Sequence, residues 1–306
     1  MLRSMYSGIS GLKNFQTKLD VIGNNIANVN TYGFKKGRTI FKDLISQSVA
    51  GASGATATRG GVNPKQVGLG AQLSAIDTIH SGGSTQFTGN TLDLAISGDG
   101  FFQVADSTGT TPTGFNNVLF TRAGNFYMDN NGYLVNSDGK YLVGVAATPT
   151  GTPPVYPVPN ANLSPTFNAT TNAISIKTGT AENPIKIPTD AKSMSIGKDG
   201  TVTFVDNAGV LKWAGQLVIS KFPNPGGLEK VGGNYFSSTS NSGDALKGIA
   251  TTSGLGDIES GFLEMSNVDL SEEFTEMIVA QRGFQANTRI ITTSDEILQE
   301  LVNLKR

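Results

Sequence analysis

The sequence contains no cysteine and only one histidine, His80. Without cysteine the chain cannot form disulfides or thiolate metal sites, and it offers no thiol nucleophile. A single histidine excludes a metal site built from several histidines. Phosphate-binding, dinucleotide-binding and nucleophile-elbow motifs are missing as well. We therefore predict no metal site, no cofactor and no catalytic residues, although a pair of carboxylates working as in glycosidases is left open.

Charged residues are also scarce, at 15% against about 25% in ordinary soluble domains. The net charge of −1 indicates neither a nucleic acid nor an anionic membrane as partner. No apolar run reaches 18 residues, so no membrane span is predicted. The first 30 residues lack the apolar core and cleavage site of a secretory signal. Export would have to use a route that reads an uncleaved segment.

Apolar residues of the first segment recur at alternating three- and four-residue steps, with Gln16 and Gly23 in the gaps. They are Leu2, Met5, Ile9, Leu12, Leu19 and Ile26. Such a heptad pattern is typical of a helix that packs against an apolar strip of a partner helix. We predict a helix over residues 1–30. The alternative is an amphipathic helix packed on its own globular core.

A second heptad series marks the other end of the chain. Its members are Leu270, Met277, Phe284, Ile291 and Leu298, and Phe274 widens the apolar face. Asp269 and Ser271 are both suitable N-caps for a long helix over residues 270–306. Gly283 inside this helix costs about 1 kcal/mol relative to alanine, so we expect either close packing or a soft spot there.

The two terminal segments carry opposite charge in a nearly neutral chain. Residues 1–46 hold seven Lys or Arg and two Asp, a net charge of +5, whereas residues 257–306 hold ten acidic and four basic residues, a net charge of −6. Opposite charge favours pairing of the two predicted helices with each other over binding of either to a membrane or nucleic acid.

Between the ends the pattern changes to short alternating runs separated by turn dipeptides. The dipeptides are Asp99-Gly100, Asn131-Gly132, Asp138-Gly139, Asp199-Gly200 and Ala208-Gly209, and we predict a hairpin at each. Residues 51–70 are polar and rich in glycine, which predicts a long loop or extended arm.

These patterns predict an α+β fold in which the terminal N- and C-helices pair as a coiled coil, with a central all-β domain between them in the sequence. Residues 1–30 and 270–306 would form a discontinuous inner helical domain. Residues 31–87 would be an extended arm and 250–269 a return linker. Residues 88–249 would be the β domain, with a Pro-rich insertion at about 147–183.

Four strings of the sequence resemble one known family. They are GNNIANVNTYGFKK (Gly23 to Lys36), TGNTLDLAISGDGFFQV (Thr88 to Val104), TRAGNFYMDNNGYLVNSDGKYLVG (Thr121 to Gly144) and the C-terminal stretch from Leu263 to Arg306. Together they resemble the axial proteins of the bacterial flagellum, the rod and hook subunits. The resemblance marks as family-motif residues Asn24, Asn25, Ala27, Asn28, Thr31, Gly33 and Phe34.

Within this family, several C-terminal runs look more like hook subunits, among them VDLS (Val268 to Ser271) and IVAQR (Ile278 to Arg282). We therefore predict a hook subunit, with a distal rod subunit as the alternative. The chain is short for a hook subunit, because many of these carry a further β domain where residues 147–183 lie here. That domain would be missing or reduced to the Pro-rich insertion.

The resemblance implies a non-enzymatic subunit that is exported through the flagellar type III apparatus and polymerises with itself outside the cell. A hook subunit would transmit torque as a flexible joint. Its implied partners are rod, hook cap and hook-filament junction proteins. Two readings from other classes stay open on the residues alone: a β-rich glycan-processing enzyme and a surface adhesin. An adhesin would leave the two heptad helices unexplained.

Overall fold

The computed structural model describes residues 2–56, 58–108, 115–147, 156–159, 166–168, 173–175, 182–252 and 254–304. The chain divides into two compact units. Unit 1 comprises Met1–Val29, Lys36–Ile79 and Val268–Arg306, and unit 2 comprises Asn30–Lys35 and His80–Asn267. The coarse prediction, a mainly β protein with a helix at each end, is confirmed. Most of the predicted arm, residues 36–79, groups with the terminal helices.

Unit 1 consists of two long helices and two antiparallel strand pairs. Helix α1 spans Leu2–Ala27 and helix α2 spans Leu270–Asn303. Asp269 is the N-cap of α2, and its carboxylate accepts hydrogen bonds from the backbone N–H groups of Ser271 (2.8 Å) and Glu272 (3.4 Å). The cap satisfies donors that have no partner inside the helix.

Strand β1 (Gly37–Asp43) pairs antiparallel with β4 (Ala71–Thr78). Between them in the chain, β2 (Ser46–Ala50) and β3 (Lys65–Gly68) form an antiparallel hairpin. The stretch predicted as a loop, residues 51–70, thus contains β3 and two isolated bridges. Every residue of β2 and β3 is exposed. Without a buried face these strands lack the alternation that sequence reading depends on.

Unit 2 is built from antiparallel strands and one 3-10 turn, Pro225–Gly227. In chain order the strands are β5 (Thr85–Phe87), β6 (Leu94–Ser97), β7 (Phe101–Ser107), β8 (Phe115–Thr121), β9 (Phe126–Met128), β10 (Leu134–Asn136), β11 (Tyr141–Ala146), β12 (Thr166–Asn168), β13 (Ala173–Ser175), β14 (Asn183–Pro184), β15 (Ser193–Ile196), β16 (Thr201–Val205), β17 (Leu211–Leu217), β18 (Ile219–Lys221), β19 (Glu229–Gly232), β20 (Tyr235–Ser237), β21 (Leu246–Gly248), β22 (Asp257–Ser260) and β23 (Phe262–Glu264).

Most of these strands form one large sheet, whose central order is β15-β16-β17-β11-β7-β8-β20-β19. Strands β9, β10, β14, β18 and β21 join it at its sides. Three two-stranded ladders, β22-β6, β23-β5 and β12-β13, complete the pairing described. β22 and β23 thus return late in the chain to pair with β6 and β5, which come early in unit 2.

The core of unit 2 lies against this sheet. Phe102, Leu142, Leu217 and Ile219 have no exposed surface. A neighbouring aromatic cluster contains Phe101, Phe120, Phe222 and Phe236. Alternate side chains of a strand point to the same face of the sheet, and branched and aromatic residues pack well on a face that is buried.

Four of the five predicted hairpin turns are confirmed. Gly132, Gly139, Gly200 and Gly209 have φ values of 86°, 77°, 80° and 80°, and each lies between two strands that pair with each other. This left-handed region is open to glycine without steric cost. The fifth prediction, Asp99-Gly100, is wrong. It joins β6 to β7, which belong to different sheets, because β6 pairs with β22 instead.

The predicted Pro-rich insertion falls largely outside the described residues. Within its described part, Pro157 accepts a 2.9 Å hydrogen bond from the backbone N–H of Trp213. The ring of Tyr156 meets that of Phe204 edge to face at 5.2 Å. This short stretch therefore packs on the sheet of unit 2.

Candidate functional site

Helices α1 and α2 pack against each other in antiparallel orientation within unit 1. Moving up α1, Gly8 lies beside Ile291, Gly11 beside Asn287 and Phe15 beside Gly283. Lys18 then forms an ion pair with Glu276, and Asn25 contacts Glu273. The residue numbers rise along one helix as they fall along the other, so the helices run in opposite directions. We call these facing residues the seam.

On α1 the seam lies one residue before the predicted heptad positions, so it uses a face rotated by about 100°. Met5, Leu12, Leu19 and Ile26 are half-buried beside it, and Ile9 is 40% exposed. The side chain of Leu2 lies outside the described part. Apolar periodicity marks a strip that needs covering, but it does not reveal which neighbour covers it.

On α2 the predicted positions divide. Met277, Ile291 and Leu298 are half-buried, whereas Leu270, Phe274 and Phe284 are 38%, 51% and 37% exposed. Further apolar side chains of this helix are also exposed, namely Ile278, Val279, Ile290, Ile297, Leu301, Val302 and Leu304. At about 100° per residue, Phe274 and Ile278 project from the side of α2 that faces away from the seam, and Ile290, Ile297 and Leu301 project at the edge of the seam. The protomer thus leaves α2 with two uncovered apolar faces.

The family-motif residues fall into two groups. Asn24 and Ala27 are exposed, and Asn28 and Thr31 are half-buried. Asn25, Gly33 and Phe34 are buried. Asn25 belongs to unit 1, where its amide oxygen accepts a hydrogen bond from the backbone N–H of Gly37 (3.0 Å). Its amide nitrogen donates to the Gly37 carbonyl (2.9 Å) and to Oε2 of Glu273 (3.2 Å). One side chain therefore ties α1 to both β1 and α2.

The later motif residues belong to unit 2. Gly33 has φ 69°, and its backbone N–H donates to the Glu264 carbonyl at 2.8 Å. A Cβ at this position would lie 2.5 Å from the backbone nitrogen of Ala123, so only glycine fits. Phe34 is buried, and the ammonium group of Lys230 lies 5.0 Å from the centre of its ring. That geometry is a cation–π contact.

Next to this segment lies a buried ion cluster that sequence reading missed. The Glu264 carboxylate accepts from Nζ of Lys35 (2.6 Å), from the backbone N–H of Gly83 (3.0 Å) and from Nη1 of Arg122 (3.2 Å). The side chains of Lys35, Glu264 and Arg122 are 0%, 1% and 4% exposed. Arg122 also donates to the backbone carbonyls of Ile96 and Gly98. Buried charges persist only when they are paired and hydrogen-bonded.

A signal for the cluster was present in the sequence. Lys35, Arg122 and Glu264 each stand in a different one of the quoted family strings. Spacing alone does not join them, since they are far apart in the chain. Burial lowers the pKa of the Lys35 ammonium group, and the charge and hydrogen bond of Glu264 act in the opposite direction.

His80 packs against this cluster and stays neutral near pH 7. Its ring meets Phe101 and Phe236 edge to face at 5.5 and 5.2 Å. Burial, followed by the positive charges of Lys35, Arg122 and Lys230, lowers the pKa of His80 from 6.5 to about 4, against a smaller opposing effect of the Pro225 backbone. The site favours the uncharged imidazole because a further cation would be added to a cluster that already holds an excess of them.

We expect unit 2 to lose stability as the pH falls from about 6.5 to 4. Because the folded pKa of His80 lies below its ordinary value, its contribution is complete above pH 6.5 and is lost on acidification towards pH 4. The loss should be about 2 to 3 kcal/mol after allowance for the partial exposure of the ring. Urea unfolding followed by the fluorescence of Trp213, the single tryptophan, measures it within unit 2.

The matched variant is His80→Phe, which keeps an aromatic ring and removes the titration. Its unfolding midpoint should be nearly flat between pH 7 and 4.5. Hydrogen bonds from Lys221 and Lys140 lower the pKa values of Asp99 and Asp106 below 3.8, so those carboxylates lose their contribution only at lower pH. An equal pH dependence in the variant would contradict the assignment to His80.

Among the described residues, no group of three or more histidine or acidic side chains is arranged to hold a metal ion. A cavity of about 560 Å³ in unit 2 is open to solvent, and its lining includes Lys186, Lys212, Asp190 and Asp206 around Tyr156. No helix in the described ranges combines the length and the apolar character needed to cross a membrane.

Three family models match the chain. The model described as "Flagella basal body rod protein" matches residues 5–35, "Flagellar hook protein FlgE/F/G D1 domain" matches 95–204, and "Flagellar basal body rod FlgEFG protein C-terminal" matches 259–304. Each matched range supplies one member of the ion cluster: Lys35, Arg122 and Glu264.

Similar proteins extend over the full length. The chain is 55% identical over 307 residues to "Flagellar basal-body rod protein FlgG" of Bacillus subtilis, covering 100% of both chains. It is 35% identical over 309 residues to the protein of that name from Borreliella burgdorferi, and 33% identical over 449 residues to "Flagellar hook protein FlgE" of the same organism, again with full coverage of both chains. A solved structure of the Helicobacter pylori hook protein FlgE2 aligns at a TM-score of 0.40 with 12% identity, over 59% of this chain and all of that one, too weakly to bear on fold or function.

Proposed function

Because the chain belongs to the family of flagellar basal-body rod and hook proteins, we propose that it is a distal rod subunit, which polymerises into part of the flagellar axis. The predicted family and the predicted place in the bacterial flagellum are both confirmed. The observation that carries the proposal is the match at 55% identity to a rod protein of nearly the same length.

The comparisons favour the rod alternative over the hook reading. Within one organism, the rod relative aligns over 309 positions and the hook relative over 449, against 306 residues here. The hook relative therefore contains residues that this chain lacks. The short runs that favoured a hook subunit, such as VDLS and IVAQR, lie at the start of α2 and within it. If α2 has the same assembly role in rod and hook subunits, short runs within it do not distinguish the two kinds of subunit.

Exposed apolar side chains on α2 support polymerisation. Phe274 and Ile278 on the side of α2 away from the seam, and Ile290, Ile297 and Leu301 at the edge of the seam, are between 44% and 54% exposed in the protomer. Burying each such side chain contributes on the order of 2 kcal/mol. Two faces on one helix are what a subunit needs to contact two neighbours.

The β2–β3 hairpin provides a second surface for neighbours. Ile45, Val49 and Val67 are 81%, 64% and 44% exposed. A two-stranded hairpin with no covered face is marginally stable by itself in water. We propose that an adjacent subunit covers it in the polymer, which would add contacts outside the helices and stiffen the assembly.

The finer functional predictions belong to the same proposal. The subunit would be a structural component without catalytic activity, as its relatives are structural flagellar proteins. It would be exported by the type III apparatus and would contact other rod and hook components. A clear zone in a peptidoglycan zymogram of the purified protein would contradict the non-enzymatic assignment.

Polymers of the purified chain are expected to be straight and stiff under negative-stain electron microscopy. Contacts through both the helices and the β2–β3 hairpin would leave neighbouring subunits little freedom to slide. Tubes that curve and change curvature would favour the hook alternative instead. A variant with Ile45→Ser, Val49→Ser and Val67→Ser is the informative comparison, because it removes the apolar side chains that an adjacent subunit would cover: its polymers should form and bend more readily.

A further inference from the structure

The seam between α1 and α2 differs from an ordinary heptad interface because it contains glycines opposite large side chains. Gly11 faces Asn287, and Gly283 faces Phe15. Both glycines lie well inside their helices. Glycine at such positions costs about 1 kcal/mol relative to alanine, so its presence calls for a packing reason.

The reason is steric at both positions. A Cβ at Gly283 would lie 2.5 Å from Cζ of Phe15, and a Cβ at Gly11 would lie 2.8 Å from Oδ1 of Asn287. Each helix thus presents one large side chain and one glycine notch to the other. The Gly283 notch also settles the sequence expectation for this position in favour of close packing.

A polar contact closes the seam near the end of α1. Asn25 and Glu273 are 2% and 6% exposed, and their side chains are hydrogen-bonded at 3.2 Å. A buried polar pair tolerates few alternatives, because a shifted partner leaves donor and acceptor unsatisfied. This contact belongs to the same antiparallel alignment of α1 and α2 as the two glycine contacts.

We propose that Phe15, Gly283, Gly11 and Asn287, with the Asn25–Glu273 contact, specify the register of the α1–α2 pair. A slip of one heptad would place Phe15 opposite Glu276 or Ile290 in place of Gly283, where no notch receives the ring. The heptad positions of α2 from Leu270 to Leu298 are apolar at every seventh residue and would tolerate that slip. The seam would therefore determine the register, and the two exposed apolar faces of α2 would be free to contact other subunits. This inference concerns unit 1 alone and holds for a rod or a hook subunit.

Cysteine trapping in the full-length chain tests the register directly, because the chain has no cysteine of its own. Gly8→Cys with Ile291→Cys reports the observed register, since a Cβ at Gly8 lies 3.4 Å from Cγ1 of Ile291. Gly8→Cys with Phe284→Cys or with Leu298→Cys reports slips of one heptad. Intrachain disulfides are read as monomer bands on non-reducing gels. The expected result for the parent chain is a strong preference for the first pair.

Adding Gly283→Ala should lower the ratio of in-register to slipped disulfide at least about tenfold, equivalent to about 1.4 kcal/mol. Phe15→Ala in that background removes the clash and should recover the in-register yield. The matched control is Gly23→Ala, because Gly23 is a glycine of α1 with nothing within 4 Å of its added Cβ. It should leave the ratio unchanged.

Two results would overturn the proposal. One is a Gly283→Ala ratio equal to that of Gly23→Ala. The other is a fall of all three disulfides together, which would mean that the seam supplies affinity and not register. Trp213 fluorescence checks in each variant that unit 2 is folded, so a general folding failure is recognised and not read as a slip.

Discussion

A chain shortened by residues 270–306 is expected to stay folded, soluble and monomeric, and to lose polymer formation completely. Unit 2 keeps all of its residues, Asn30–Lys35 and His80–Asn267, and therefore its sheet, its core and its ion cluster. The deletion removes both apolar faces of α2 and the partner of α1. An isolated amphipathic helix gains little stability in water without tertiary burial, so α1 should become largely disordered.

Sedimentation and circular dichroism measure this outcome. The sedimentation coefficient should be that of a monomer, and the β signal and Trp213 fluorescence should match those of the full chain. A finer variant keeps the helix: Ile290→Ser, Ile297→Ser and Leu301→Ser together should also prevent polymers, because they remove one exposed face. The control changes three exposed glutamines of α2, at 281, 285 and 299, to serine and should polymerise normally. Long polymers of the truncated chain would show that assembly does not depend on α2.

Glu264→Ala is expected to destabilise unit 2 by about 3 to 5 kcal/mol, the usual cost of removing one partner from a buried ion pair. The Lys35 ammonium group and the Arg122 guanidinium would lose the carboxylate that both contact, while their side chains are at most 4% exposed. The Gly83 N–H would lose its acceptor too. The loss should appear as a lower urea midpoint of the Trp213 fluorescence transition.

Replacing the positively charged partner Lys35 should destabilise unit 2 less than replacing Glu264. Lys35→Met keeps the aliphatic stem and leaves Glu264 paired with Arg122, but it removes the hydrogen bonds of the ammonium group to Glu264 and to the Ser81 carbonyl. A loss of about 2 to 3 kcal/mol is expected. Glu229→Ala is the matched control, because Glu229 is an exposed carboxylate on β19 of the same unit. Equal midpoints for Glu264→Ala and Glu229→Ala would show that the cluster contributes nothing to stability.

For the two helices, the sequence pattern predicted the bounds but not the buried face. Period and capping residues were sufficient to predict α1 and α2 to within a few residues, because these signals are local. The face that each helix buries was not predictable. The seam lies one residue before the predicted positions on α1, and its glycines contribute nothing to an apolar pattern. Choosing a face requires knowing which surface lies opposite.

The ion cluster could not be predicted from the sequence either. Lys35, Arg122 and Glu264 are ordinary charged residues in the sequence, and charged side chains are exposed by default. Only the folded chain brings Lys35 and Arg122 within 3.2 Å of the Glu264 carboxylate and buries all three side chains. The strings that contain them carried the family resemblance, but nothing in the strings states that their charges meet.

By itself the sequence determined the helical ends, the β-rich centre, four of its hairpins and membership of the flagellar rod and hook family. These features rest on local periodicity, turn chemistry and strings of adjacent residues. The tertiary structure alone decided the seam of α1 and α2, the pairing of β6 with β22, and the cluster around Glu264. Those contacts join residues more than a hundred positions apart, and their energy depends on burial that no local pattern records.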